Sequence, residues 1–231
     1  MKAARYGVIL ADPPWAYTQY RDTAQGAAAA SYTTQSPEAI RAIPVQSWAA
    51  DDCVLAMWAT FPKLDEAIDL MRAWGFAHKT GIVWLKNSPN SSDMSTGVGI
   101  WHQACAELVL YGVRGTIGGF EKRRGTLQCV VGDRHNPGFW RRASERVAGS
   151  GRDLFIDDHT LIAPKPTRHS RKPETLQDYL ETFEGPHLEL FARRARLGWD
   201  CWGYDLGFEL GPFGVRERPD IGRTLFSGGA S

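Results

Sequence analysis

Cysteine is scarce in this chain: four in 231 residues, Cys53, Cys105, Cys129 and Cys201, with no C-x-x-C pair among them. That spacing argues against a zinc site and against a disulfide framework, and it fits a reducing compartment. No apolar run is long enough to span a membrane, and Met1 to Tyr6 lead straight into a strand-like stretch without a signal-peptide pattern. The expectation is a soluble cytoplasmic protein with no metal centre and no membrane partner. Internal repeats are also lacking, as is any strong overall charge: 27 Lys and Arg face 26 Asp and Glu. The charge is unevenly placed, however. From Arg114 to Lys172 there are 13 Lys and Arg against 6 Asp and Glu. Such a basic segment is the electrostatic footprint of a polyanion partner, and equally the mark of a solvated, Arg-rich loop.

What is present is a pattern of short apolar runs alternating with amphipathic ones. Tyr6–Ala11, Cys53–Thr60, Phe76–Lys86, Glu107–Val113, Leu154–Ile162 and His187–Ala192 read as buried strands, with a further candidate at Leu127–Val131. Ser36–Ile43 reads as a short helix, capped by Ser36, with Pro37 in its first turn and Pro44 ending it. Pro62–Trp74 places Leu64, Ala67, Ile68, Met71 and Trp74 at helical spacing before Gly75, and Pro173–Phe183 is a second clear helix. This alternation predicts an α/β fold with a mostly parallel central sheet flanked by helices. A single domain over 1–207 is expected, with a basic insertion at about 118–164. The Gly-, Pro- and Arg-rich stretch 208–231 is expected to be a poorly ordered tail.

In such sheets ligands sit outside the carboxyl ends of the strands, which directs attention to Asp12–Trp15, Thr60, Lys86 and Arg193. Asp12-Pro13-Pro14-Trp15 follows the first strand directly. These residue types suit alkylation of an exocyclic adenine amine, a poor nucleophile whose lone pair is delocalised into the ring. An ionised Asp is purely an acceptor. A proline turn can present a backbone carbonyl as a second acceptor, because proline fixes its φ and has no N–H to compete. An indole can stack on a base, worth about 1–3 kcal/mol. A strand-ending turn built from Asp and Pro is the plain alternative for the same tetrapeptide.

The chain resembles the D-P-P-W family of N(6)-adenine methyltransferases, which includes the catalytic subunit of the eukaryotic messenger-RNA adenosine methyltransferase and bacterial and phage DNA-modifying members. The resemblance is carried by Val8–Trp15, Ser31–Thr34, Ile43-Pro44, Trp58–Thr60, Trp74–Phe76, Val83–Lys86, Gly99–His102, Glu107–Gly115, His169–Glu174, Glu189–Arg193 and Gly198–Gly203, in the family's order. It implies a permuted Rossmann-like methyltransferase fold using S-adenosylmethionine as methyl donor and no metal. By the same resemblance Asp12, Pro13, Pro14 and Trp15 are catalytic. Asp12, Lys172, Phe191, Arg193 and Gly203 line the donor pocket, although Gly203 is followed by Tyr204 and Asp205 where many members carry an Asn and then an acidic or amide residue. Trp101 and His102 fall in the substrate-side loop. The basic insertion, with Lys122, Arg123 and Arg124, is assigned to phosphate contacts. Compactness favours DNA as the substrate, with RNA the alternative, and a catalytically silent nucleic-acid-binding partner a third.

Lys172 also has a reading independent of the family, since it stands just before a helix N-terminus, where an anionic group is favoured. Without the family a solvated helix-flanking lysine is the preferred reading, and Arg193 and Glu189 are equally structural ion-pair residues. His169 is a candidate base or an ordinary loop histidine; the chemistry needs no strong base, so no catalytic histidine is assigned. Trp58, Trp74 and Trp84 read as core.

Overall fold

The computed structural model describes residues 5–16, 36–87, 95, 102–116, 154–157, 160–164, 172–203, 206, 208–211 and 214–217. The possible strand at Leu127–Val131 lies outside them, as do Trp101, Lys122, Arg123 and Arg124.

An eight-stranded sheet organises the molecule. Its strands are β1 (Tyr6–Ala11), β2 (Ala49–Ala59), β3 (Ala77–Asn87), β4 (Ala106–Arg114), β5 (Leu154–Asp157), β6 (Thr160–Pro164), β7 (His187–Leu190) and β8 (Trp199–Trp202). They lie in the order β5-β6-β3-β4-β2-β1-β7-β8. β1 is central and parallel to both β2 and β7, and β7 is parallel to β8. The expected mostly parallel sheet is corrected to a mixed one at β4, which runs antiparallel to both β2 and β3. It is corrected again at β5 and β6. The single strand expected over Leu154–Ile162 is an antiparallel hairpin, with β6 then parallel to β3.

The sequence forms these strands because their apolar residues serve two faces. Alternate side chains of a strand point to opposite sides. Ile9, Ala11, Leu55, Met57 and Ala59 therefore join one core cluster, and Val8, Leu10, Val54, Ala56 and Trp58 the other. Both faces are covered by helical segments. On the first lie α1 (Pro37–Arg41), α2 (Val45–Trp48) and α3 (Leu64–Ala73), with Ala67, Leu70 and Met71 buried against the sheet. On the second lies α4 (Thr175–Leu180), burying Leu176 and Leu180.

The local signals explain the boundaries. Ser36 caps α1 through Oγ, which accepts from the Ala39 N–H at 3.2 Å, and Pro37 occupies the first turn. Phe61–Lys63 forms a 3-10 turn ahead of α3, and Gly75 stops the helix at φ 83°. α4 is shorter than the expected Pro173–Phe183. Its last turn tightens, with Thr182 and Phe183 donating three residues back to Tyr179 and Leu180. Past the main sheet, β9 (Phe208–Gly211) and β10 (Gly214–Glu217) pair antiparallel, where a poorly ordered tail was expected.

Strand direction fixes what meets at one edge. β1, β2, β3, β7 and β8 all end there. β4, running the other way, begins there, so Glu107 is registered opposite Trp84 near the end of β3.

Candidate functional site

At that edge, beyond the end of β1, a cleft is lined by Leu10, Asp12, Trp58, Lys172, Pro173, Gln177, Glu189, Phe191, Arg193 and Arg194. Asp12 is held there by its own backbone, whose N–H donates to Leu190 O at 3.3 Å and so extends the β1–β7 ladder by one residue.

Charged groups of alternating sign run through the site. Lys172 Nζ lies 3.3 Å from Asp12 Oδ1 and 2.6 Å from Glu107 Oε2; Lys86 Nζ lies 2.5 Å from Glu107 Oε1; Arg193 Nε lies 4.0 Å from Asp12 Oδ2. Beneath the lysines is an aromatic floor. Lys172 Nζ is 5.2 Å from the Trp58 ring centroid, Lys86 Nζ is 5.1 Å from that of Trp84, and the two indoles meet edge to face.

Burial and charged partners compete over the protonation of this group. It pushes the Asp12 carboxyl above its usual range; Lys172 pulls it back, Glu107 adds to the rise and Arg193 opposes it. Burial also pushes Glu107 upward, but its two ammonium partners outweigh that and hold it at about 2. Lys172 is desolvated, yet Asp12 and Glu107 raise its ammonium above the ordinary lysine value and keep it charged. Glu189 is different. Burial lifts its carboxyl to about 7, the Gln177 hydrogen bond works against the rise, and the Asp12 charge adds to it. Gln177 Nε2 donates to Glu189 Oε2 at 2.5 Å, and Arg194 Nη2 donates to Gln177 Oε1 at 3.0 Å. Phe191 enters the lining with φ 63°, an uncommon conformation for a residue other than glycine, at the turn that follows β7.

Asp12, Lys172, Phe191 and Arg193 thus line one cleft, and Pro13 and Pro14 form the turn beside them. The Trp15 N–H donates to Pro13 O at 2.8 Å, closing a three-residue turn around Pro14. A carbonyl oxygen has two lone pairs, so Pro13 O keeps one.

Trp15 is placed otherwise than expected. It is 8 % exposed, belongs to the core cluster under β1 and β2, and donates from Nε1 to Trp58 O at 3.2 Å; it is not among the described residues lining the cleft. An indole this close to a core face gains more by burying its ring and pairing its N–H than by facing solvent. Gly203 is also corrected. It is buried but does not line the cleft, and a Cβ there would collide with the Ala192 backbone, which is bonded to the same loop through Ala192 N–H and Trp202 O at 2.9 Å. Its glycine is needed for close backbone approach. His102 is exposed just ahead of β4.

Glu107 and Gln177 were missed in the sequence, and Lys86 was marked only by its place at a strand end. The available signal was chemical: a carboxylate opening an otherwise apolar strand must have a partner if buried.

The donor set fits an amino-acid zwitterion attached to a cationic centre. Lys172 and Arg193 suit a carboxylate, while Asp12 and Glu189 suit an ammonium or sulfonium. Among the described residues no cluster of His, Cys, Asp and Glu could hold a metal ion.

The family profile described as MT-A70 matches residues 6–205. The type II methyltransferase M.MunI of a Mycoplasma species is 29% identical over 221 residues, covering 87% of this chain and 78% of its own length. The human N(6)-adenine-specific methyltransferase METTL4 is 29% identical over 87% of this chain, which spans 37% of METTL4. The N6-methyladenosine RNA methyltransferase MTA1 of Pyricularia oryzae is 26% identical over 88% of this chain, which spans 48% of MTA1.

Proposed function

Since the chain belongs to the MT-A70 family of N6-adenine methyltransferases, we propose that its substrate is adenine in DNA and that its methyl donor is S-adenosylmethionine. The observation that carries this reading is the placement of Asp12. Its carboxylate stands in the cleft at the end of a central strand, faced by Lys172 and Arg193, and is followed at once by a proline turn whose carbonyl retains a lone pair.

Bound S-adenosylmethionine supplies an electrophilic methyl group on a positive sulfur. The residues of the chain do the rest. Lys172 and Arg193 hold the donor's carboxylate end, and Glu189 lies on the same wall. Asp12 accepts a hydrogen bond from the adenine NH₂, and Pro13 O accepts the second. The amine lone pair is then directed at the methyl carbon; the N–C bond would form as the donor's S–C bond breaks, with the neutral thioether leaving, and the alkylated amine would pass its proton to solvent after attack, so no strong base is required. Trp15 fixes the turn from behind by tying it to the end of β2. The sheet, with the catalytic turn after its first strand, is read as a permuted Rossmann-like methyltransferase fold. For a duplex substrate the base is turned out of its stack.

Similarity over most of the length of a type II methyltransferase favours DNA. The basic segment, with Arg123 and Arg124, is assigned to phosphate contacts, and Trp101 and His102 to the substrate side. Free Cys53, Cys105 and Cys201 suit a reducing, cytoplasmic setting. The RNA reading has its own support in the match to MTA1. Matched DNA and RNA oligonucleotides, methylated in parallel with an Asp12→Ala control, decide between them. Strong preference for RNA overturns the choice of DNA, and no transfer to either overturns the enzyme reading.

A further inference from the structure

We infer that Glu107 is a positioning residue for the reaction: by gripping Lys172 and Lys86 with one oxygen each, it holds Lys172 back from Asp12 and leaves the Asp12 carboxylate able to accept from the substrate amine. This rests on the methyltransferase reading above.

The geometry carries it. Lys172 has two carboxylate partners but does not share itself equally, lying 2.6 Å from Glu107 and 3.3 Å from Asp12. The shorter contact is a charge-assisted hydrogen bond, and the longer one is beyond the usual range for such a bond. The 3.3 Å ion pair would tighten if Lys172 closed fully on Asp12, and one of the catalytic oxygens would be tied up in a short charge-assisted hydrogen bond at the moment it is needed. Glu107 prevents this without itself facing the cleft lining. Lys86 completes the arrangement. At 2.5 Å from the other Glu107 oxygen, over the Trp84 ring, it fixes the carboxylate plane and supplies its second charge partner. The placement depends on β4 running against its neighbours, which delivers a carboxylate from the start of that strand to the edge where β1 and β3 end.

The groups facing Asp12 are Lys172, Arg193, Glu107 and Glu189. Removing the Glu107 charge therefore transfers Lys172 to Asp12 and takes away a neighbouring negative charge. Both changes favour the ionised form of Asp12.

The test compares wild type, Glu107→Gln and Glu107→Asp, the last keeping the charge but too short to reach both lysines. Misplacement of a catalytic group by about 1 Å costs about 100-fold, so kcat should fall about 10- to 100-fold in both variants with KM for nucleic acid within about twofold. Independently of turnover, carbon-detected NMR titration of the Asp12 carboxyl should show a lower midpoint in both variants. Wild-type kcat in a folded variant, or an unmoved Asp12 midpoint, overturns the proposal. Should Glu107→Gln fail to fold, Glu107→Asp carries both readouts. A wild-type protein inactive on every adenine substrate sinks the functional reading instead, while the NMR midpoint still tests the grip on Lys172.

Discussion

Trp15 donates its indole N–H to the backbone carbonyl of Trp58 at 3.2 Å, and so fastens the turn after β1 to the end of β2. Two neighbouring parallel strands are linked where they run out of ladder, at the edge that carries Asp12. Trp15→Phe keeps most of the buried ring but leaves the Trp58 carbonyl without this donor. A buried acceptor left unpaired costs about 1–3 kcal/mol, so the variant should unfold at correspondingly lower denaturant. A tryptophan that only stacked on the substrate base would give wild-type stability and weaker nucleic-acid binding. Equilibrium urea unfolding of wild type and Trp15→Phe separates the two roles.

Asp12→Ala should leave the circular dichroism spectrum unchanged and lower methyl transfer on the order of 100- to 1,000-fold or more, the scale of losing one preorganised hydrogen-bonding partner of a transition state. The position is a loop acceptor and not a core residue. Ionised, Asp12 is acceptor-only and the stronger partner for the amine. Burial holds its carboxyl above the usual range, so the acid limb of the wild-type pH–rate profile should lie above that of an ordinary carboxylate, with activity lost as pH falls through it. An acid limb in the unperturbed carboxylate range would count against the assignment.

The legible part of this site is the part that lies just after strands and on the family's motifs. Asp12, Lys86, Phe191 and Arg193 follow or end apolar runs, and apolar runs are easily read. Glu107 could not be placed in the same way. Its site is reached only because β4 is antiparallel, and hydrophobic pattern states that a strand is buried without stating its direction. The hairpin of β5 and β6 hid for a related reason: Asp158 and His159 separate two short strands without any Gly or Pro to punctuate them. Trp15 was misread because an aromatic residue beside a cleft serves core and ligand equally well, and only the partner of its N–H distinguishes them. Gly203 looked like a ligand-facing glycine, and the backbone of Ala192 is what actually approaches it.

Neutralising Arg123 and Arg124 should weaken nucleic-acid binding and flatten its dependence on salt. Each lost phosphate contact removes about 0.9 from the slope of log K against log salt on duplex DNA, so the double Gln variant should lose nearly twice that. Fluorescence anisotropy across a salt series measures it. An unchanged slope would detach these arginines from the phosphate backbone.

Gly203→Ala should destabilise the fold, because the added methyl meets the Ala192 backbone and not a side chain that could turn aside. Overpacking of this kind costs about 1–3 kcal/mol. The loop between β7 and Arg193 would have to shift, so donor affinity should fall together with the melting temperature. Calorimetric binding of S-adenosylmethionine alongside a thermal melt checks both, and an unshifted melt would show that Gly203 is not packed as described.

Glu189 gives the stability of the protein a pH dependence of definite sign. In the folded chain its carboxyl titrates at about 7, against 4.5 for the free group, because burial and the neighbouring Asp12 charge outweigh the opposing hydrogen bond from Gln177. Below 4.5 the folded and unfolded chains both hold the proton, and nothing is lost. Between 4.5 and about 7 the unfolded chain releases it while the folded chain keeps it, so stability falls as pH rises across that window and levels off above it. The full loss is on the order of 3 kcal/mol. Glu107 acts in the opposite sense and at lower pH: held at about 2, it contributes stability that is complete above 4.5 and disappears as pH falls toward 2. Glu189→Gln removes the ionisation while keeping the shape, and should therefore raise the melting temperature at pH 8 and have little effect at pH 4.5. Equal melting shifts at both pH values would mean that Glu189 is already ionised in the folded protein.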